Sequence, residues 1–239
     1  FKSSIDLMLC LFPFEPELLK DKGVDAEFIG HPLADEIKID LYDSASSQNQ
    51  DLNIALLPGS RRREIDYHLE VMLDTALMIH DELSSSKKEV IFSIPTRFEE
   101  MEHWINSYAK YENLNIKIYK ETSQCLLGSD LVITKSGTST LESALYKKMT
   151  IVVYRMSSFS FFLLTKLNLI NVSYASLPNI LLGYEFFKEF IQEDFKAEEI
   201  SKEAIKLLKI DPNTYLEPLT KLHENLISTK DKTAATHIT

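Results

Sequence analysis

Two short segments place small residues, hydroxyls and a cation where an apolar run gives way to a helical pattern. Leu52–Leu57 runs into Pro58, Gly59, Ser60 and Arg61, and Leu131–Thr134 runs into Lys135, Ser136, Gly137 and Thr138. Beyond the carboxyl end of a strand, the first amides of a following helix lack partners and carry partial positive charge, which suits an anion. Gly59 and Gly137 let a ligand approach the backbone, Ser60, Ser136 and Thr138 supply hydroxyls, and Arg61 supplies a forked cation matched to phosphate oxygens. The set fits a diphosphate better than a metal. Taken alone, either turn reads more readily as a helix cap. Two of them in one sheet point to a site.

Glu142 stands four residues after Thr138, about 6 Å along a helix at a rise of about 1.5 Å per residue. A carboxylate at that depth suits the two hydroxyls of a ribose, and reads equally as a solvated acid on a helix face. These residues define a nucleotide site and no particular reaction. The phosphate loop G-x-x-x-x-G-K-[ST], the dinucleotide fingerprint G-x-G-x-x-G and the elbow G-x-S-x-G are all missing. The histidines at 31, 68, 80, 103, 223 and 237 show no metal-ligand spacing. Cys10 and Cys125 stand far apart and read as inert core thiols of a reducing compartment.

The elements that must carry these residues follow from periodicity. Apolar runs at Ile5–Phe12, Glu27–Ile29, Leu52–Leu57, Glu89–Ile94, Asn115–Tyr119, Leu131–Thr134 and Thr150–Tyr154 read as strands separated by amphipathic stretches. Between them, Ile65, Leu69, Leu73, Ala76 and Leu83 form a helical stripe over Glu64–Leu83. A second helix is expected over Thr138–Lys148, with Lys147 and Lys148 near its C-terminus, where the macrodipole favours cations. Strands alternating with helices predict an α/β fold with a mostly parallel sheet.

The Ser-rich stretch 42–51 reads as a linker between the tail of a preceding α/β domain, 1–41, and a Rossmann-like domain, 52–200, followed by C-terminal helices over 201–239. Because the chain starts at Phe1 with what looks like a buried strand, it is expected to be a fragment. A formal net charge of -10 disfavours nucleic acid as a partner. Apolar runs long enough to span a membrane are missing, and so is any signal peptide.

LCLFPFE (9–15), FIGHPLAD (28–35), LLPGSRRREI (56–65), SGTSTLESAL (136–145), VVYRMSSFSF (152–161), SLPNILLG (176–183) and EFIQE (189–193) occur in that order. Together they resemble the lipid-A-disaccharide synthases over nearly the whole chain. The resemblance implies a GT-B-type Rossmann-like parallel sheet with helices on both faces. It implies an inverting glycosyltransferase that moves 2,3-diacylglucosamine from its UDP donor to 2,3-diacylglucosamine 1-phosphate, with no cofactor and no metal.

Residue by residue, Gly59, Ser60 and Arg61 match the family's donor-side motif, and Ser136, Gly137 and Thr138 its diphosphate turn. Glu142 matches its ribose carboxylate, and Asn179 and Gln192 match polar residues of its donor pocket. Pro178 would fix a turn that aims Asn179 into the cleft, and a loop-satisfying amide is nearly as good a reading from sequence. Backbone around Lys120–Thr122 is expected to meet uracil.

The family's N-terminal domain, with the acidic residue expected as general base, has no counterpart before Phe1, so no catalytic residue is expected in this chain and the fragment should not turn over alone. The resemblance further implies a cytoplasmic protein held peripherally at the inner membrane. Phe159–Leu169, aromatic and aliphatic yet carrying Lys166, reads as an amphipathic helix resting on lipid or acyl chains and equally as a core helix. The resemblance also implies homodimers that exchange C-terminal elements. The competing readings are another UDP-sugar enzyme, such as a UDP-N-acetylglucosamine 2-epimerase, and a non-catalytic interaction module.

Overall fold

The computed structural model describes residues 6–38, 51–84, 88–156 and 174–227. Phe159–Leu169, almost all of the linker 42–51 and the last twelve positions, 228–239, lie outside the described residues. Two compact units emerge.

The larger unit is built on six parallel strands: β3 (Leu52–Leu57), β4 (Val90–Pro95), β5 (Asn115–Tyr119), β6 (Leu131–Lys135), β7 (Thr150–Tyr154) and β8 (Lys188–Ile191). Their order is β5-β4-β3-β6-β7-β8, which, counted from the unit's first strand, is the doubly wound order 3-2-1-4-5-6. Ile54, Ala55 and Leu56, Val132 and Ile133, and Ile151, Val152 and Val153 are fully or almost fully buried, as the continuous apolar runs require of strands covered on both faces. Helix α3 (Arg62–Leu83) buries Ile65, Leu69, Met72, Leu73, Ala76 and Ile79. Helices α4 (Met101–Asn106), α5 (Thr122–Leu127), α6 (Thr138–Leu145), α7 (Leu177–Leu182) and α8 (Ala197–Leu207) complete the described connections, and α8 packs on α3. Since α8 begins at Ala197, a division at residue 200 would cut a helix.

The smaller unit pairs β1 (Met8–Cys10) in parallel with β2 (Ala26–Phe28) and adds α1 (Glu15–Lys20), α2 (Pro32–Glu36) and α9 (Asn213–Leu226, from Tyr215 on). Of the strand expected over Ile5–Phe12, Ile5 lies outside the described residues and Met8–Cys10 is strand; it ends there because the Leu11 and Phe12 amides donate to the Glu15 carboxylate instead of extending the ladder.

The helix expected to reach Lys148 stops at Leu145, since Lys147 turns left-handed at φ 58°. Its ammonium, almost wholly buried, then lies within hydrogen-bond reach of the Leu219 carbonyl at 3.4 Å and His223 Nδ1 at 2.9 Å. Burial pushes that lysine down to about 8. Lys148 instead donates to the Leu127 and Ser129 carbonyls, just past the C-terminal end of α5.

Cys10 and Cys125 are buried free thiols, and burial pushes Cys125 up to about 12. Among the described residues, no helix is long and apolar enough to cross a membrane.

Candidate functional site

Strand β3 has β4 on one side and β6 on the other, so the chain winds outward in both directions from the β3–β6 seam. Connections diverge there and leave a crevice beyond the carboxyl ends of the strands. A cavity of about 310 Å³ occupies that place, within the range of small-ligand sites. Every strand from β5 to β6 contributes the residues just past its end: Gly59 and Ser60 after β3, Thr96–Phe98 after β4, Lys120–Thr122 after β5, and Gly137–Ser139 after β6. Glu64 and Glu142 enter from α3 and α6.

The turn after β6 is open. Among the described residues, the Gly137, Thr138 and Ser139 amides meet no acceptor, while Ser136 N–H is taken by the Val153 carbonyl and Thr140 N–H by that of Gly137. Three unpaired donors at the head of a two-turn helix form an anion cradle. Glu142 lies one turn deeper, half-buried, and its carboxylate has no hydrogen-bond partner among the described residues. Burial without a partner raises its carboxyl above the usual range.

The turn after β3 is closed. Glu64 Oε2 accepts from Ser60 N–H at 3.1 Å and Arg61 N–H at 3.4 Å, capping α3 with the protein's own carboxylate. Gly59 holds φ 122°, and a Cβ there would lie 2.6 Å from Glu64 Cβ, so the cap and the glycine require each other. Glu64 Oε1 pairs with Lys135 Nζ at 3.1 Å, with each side chain 18% exposed. Burial alone would raise the Glu64 carboxyl, but Lys135 and the two amides outweigh it and hold it low. Below, the His68 ring spans the Glu64 carbonyl at 2.6 Å and the Arg155 amide at 3.0 Å, and burial lowers its pKa.

Gly59, Ser60, Gly137, Thr138 and Glu142 therefore line the cavity, as do Lys120–Thr122. Arg61 does not: its side chain is 83% exposed and pairs with Glu64 at 3.4 Å. Ser136 turns away and donates to the Ala175 carbonyl.

Asn179 is a correction. It lies not in a turn but in the first turn of α7, where Pro178 has no amide to waste, and it is fully buried. Its amide donates to the Phe187 carbonyl and Glu189 and accepts from the Phe186 and Phe187 amides, leaving nothing for a ligand. Gln192 lies outside the cavity lining, and its Oε1 accepts the Met156 amide. Lys135, Glu64 and Thr96–Phe98, none of them expected at the site, also line the cavity.

The sheet order and the polar cavity at its switch point define a GT-B-type, Rossmann-like fold. The crystal structure of Acinetobacter baumannii MurG shares it, with a TM-score of 0.54 and 15% identity over 97% of this chain and 58% of that one. So does the S. aureus MnaA-UDP co-structure, with a TM-score of 0.57 and 14% identity over 98% and 57%. At such identities the likeness is one of fold alone.

The family is fixed by sequence. Residues 1–238 match the lipid-A-disaccharide synthetase family. Lipid-A-disaccharide synthase 2 of Legionella pneumophila (strain Paris) is 31% identical over 98% of this chain, which spans 62% of that relative's length. The chain belongs to the lipid-A-disaccharide synthetase family.

Proposed function

We propose that this chain forms the donor-nucleotide half of a lipid A glycosyltransferase that takes UDP-2,3-diacylglucosamine and passes the sugar to 2,3-diacylglucosamine 1-phosphate. The observation that carries the reading is the pairing of an open amide cradle at Gly137–Ser139 with a Glu142 carboxylate, one helical turn deeper, that has no partner among the described residues. The cradle takes the diphosphate, Glu142 accepts from the ribose hydroxyls, and the backbone at Lys120–Thr122 meets the uracil edge.

In the transfer, an acceptor hydroxyl oxygen bonds to the anomeric carbon as the bond from that carbon to the UDP oxygen breaks, inverting the centre. Charge then accumulates on UDP, where the dipole and free amides of α6 stabilise it. The base that takes the hydroxyl proton is assigned to the part of the relatives' length that this chain does not span. The acyl chains of both proposed substrates support a reading in which the protein works peripherally at the cytoplasmic face of the inner membrane.

Calorimetric titration with UDP tests the reading. The chain should bind UDP, and Glu142→Ala should weaken binding about 10- to 100-fold, the effect of losing hydrogen bonds to a charged acceptor. Equal binding by both proteins would overturn it.

A further inference from the structure

Lys135 ends β6 and points its ammonium across the seam of the sheet. Its Nζ lies 3.1 Å from Glu64 Oε1, and a Cβ placed on Gly137 would come within 3.4 Å of the same nitrogen. The ammonium therefore stands beside the turn whose amides at 137, 138 and 139 meet no acceptor among the described residues. The face of Tyr154 backs it at 5.8 Å. Arg97 and Lys120 also line the cavity, but both are exposed and belong to the ends of β4 and β5, on the opposite side of β3.

We propose that Lys135 is the residue that distinguishes a diphosphate from an uncharged nucleoside in this cavity, and that Glu64 positions it. The inference rests on the donor-site reading given above. Glu64 is anchored by two backbone amides and is not free to follow a ligand. Its carboxylate is the internal anion that keeps the ammonium extended over the cradle while the cradle is empty. An incoming diphosphate offers a denser negative charge at the same place, and the ammonium shares itself between phosphate and carboxylate without leaving its position. The lysine is thus already ordered when the ligand arrives, which lowers the entropic cost of binding.

The experiment compares UDP and uridine binding by the full chain and its variants. Lys135→Met should weaken UDP about 10- to 100-fold and leave uridine within about twofold, because only the charge-assisted contact is lost. Lys135→Arg should restore most of the UDP affinity, and the steepness with which salt weakens UDP binding should fall in Lys135→Met. Should Lys135→Met not fold, Lys135→Gln, which keeps a hydrogen bond to Glu64 without the charge, is read the same way. A parallel loss of UDP and uridine binding would show a structural role and overturn the inference, as would an unchanged affinity for UDP. If the wild-type chain binds neither compound, the donor-site reading itself falls and this inference falls with it.

Discussion

The turns after β3 and β6 have similar ingredients: a glycine, a serine, and a helix that starts at once. They end neighbouring strands and line one cavity, and the placement of one acidic residue separates them. In α3 the acid is Glu64, the third helical residue, and it folds back to cap the Ser60 and Arg61 amides. In α6 the third residue is Thr140, whose hydroxyl donates to the Gly137 carbonyl, and the acid, Glu142, comes two residues later. A carboxylate at the third position reaches the helix head and closes it to other anions. Two residues further along, it cannot reach back, so the head stays open and the carboxylate lines the cavity at greater depth. The first arrangement makes a stable cap, and the second makes a binding site.

The comparison is broken most severely at Gly59. Gly59→Ala puts a methyl group against Glu64 in a backbone conformation that only glycine adopts readily, and should cost roughly 2–4 kcal/mol of stability from strain and overlap together. Urea unfolding measures it, and a loss under about 1 kcal/mol would mean that the cap and the glycine are not coupled.

Next in size is the contrast between the two acids themselves. Glu64→Gln should cost about 1–2 kcal/mol at neutral pH, the usual worth of a helix cap. Its carboxyl is lowered in the fold, so its contribution is complete above the unfolded carboxyl value, about 4.3, and is lost as pH falls through the lower folded value. The gap between wild type and variant should therefore close in acid. Glu142 has the opposite sign: its carboxyl is raised by burial, so it destabilises the empty fold as pH rises through the carboxylate range. Glu142→Gln should leave the neutral-pH protein slightly more stable while impairing UDP binding. Unfolding curves between about pH 3 and pH 7 separate the cases, and the same sign for both acids would erase the distinction drawn between the turns.

Most of the sheet was legible because buried parallel strands leave nearly unbroken apolar runs: Leu52–Leu57 and Thr150–Tyr154 coincide with β3 and β7, while Asn115–Tyr119, the edge strand β5, showed itself by β-branched and aromatic residues alternating around the exposed Lys117. Strand β8 begins with Lys188 and Glu189 and lies at the sheet edge, so no such run announces it. The open turn and Glu142 were legible because all of their parts are local. The Lys135–Glu64 pair was not, since its members stand 71 residues apart and meet only when β3 and β6 become neighbours. Asn179 misled for a related reason, because what satisfies its amide is the backbone of Phe186 and Phe187 beyond its own helix. The one missed feature with a local signal was the cap, since an acid three residues beyond a helix-starting position is the usual mark of a carboxylate folding back.

Arg61 is the smallest and sharpest case. Its residue type favours phosphate, and the sequence reading gave it the diphosphate. In the structure its guanidinium stands in solvent beside Glu64, outside the cavity lining, at a turn whose amides are already capped. An exposed ion pair of this kind contributes under about 1 kcal/mol. Arg61→Ala should therefore leave stability within about 0.5 kcal/mol and UDP affinity within about threefold of wild type, far less than the loss at Lys135. A larger fall in UDP affinity would mean that the arginine swings inward to the ligand and that the turn after β3 joins the cradle once a diphosphate is bound. The difference between the two turns would then belong to the empty site alone.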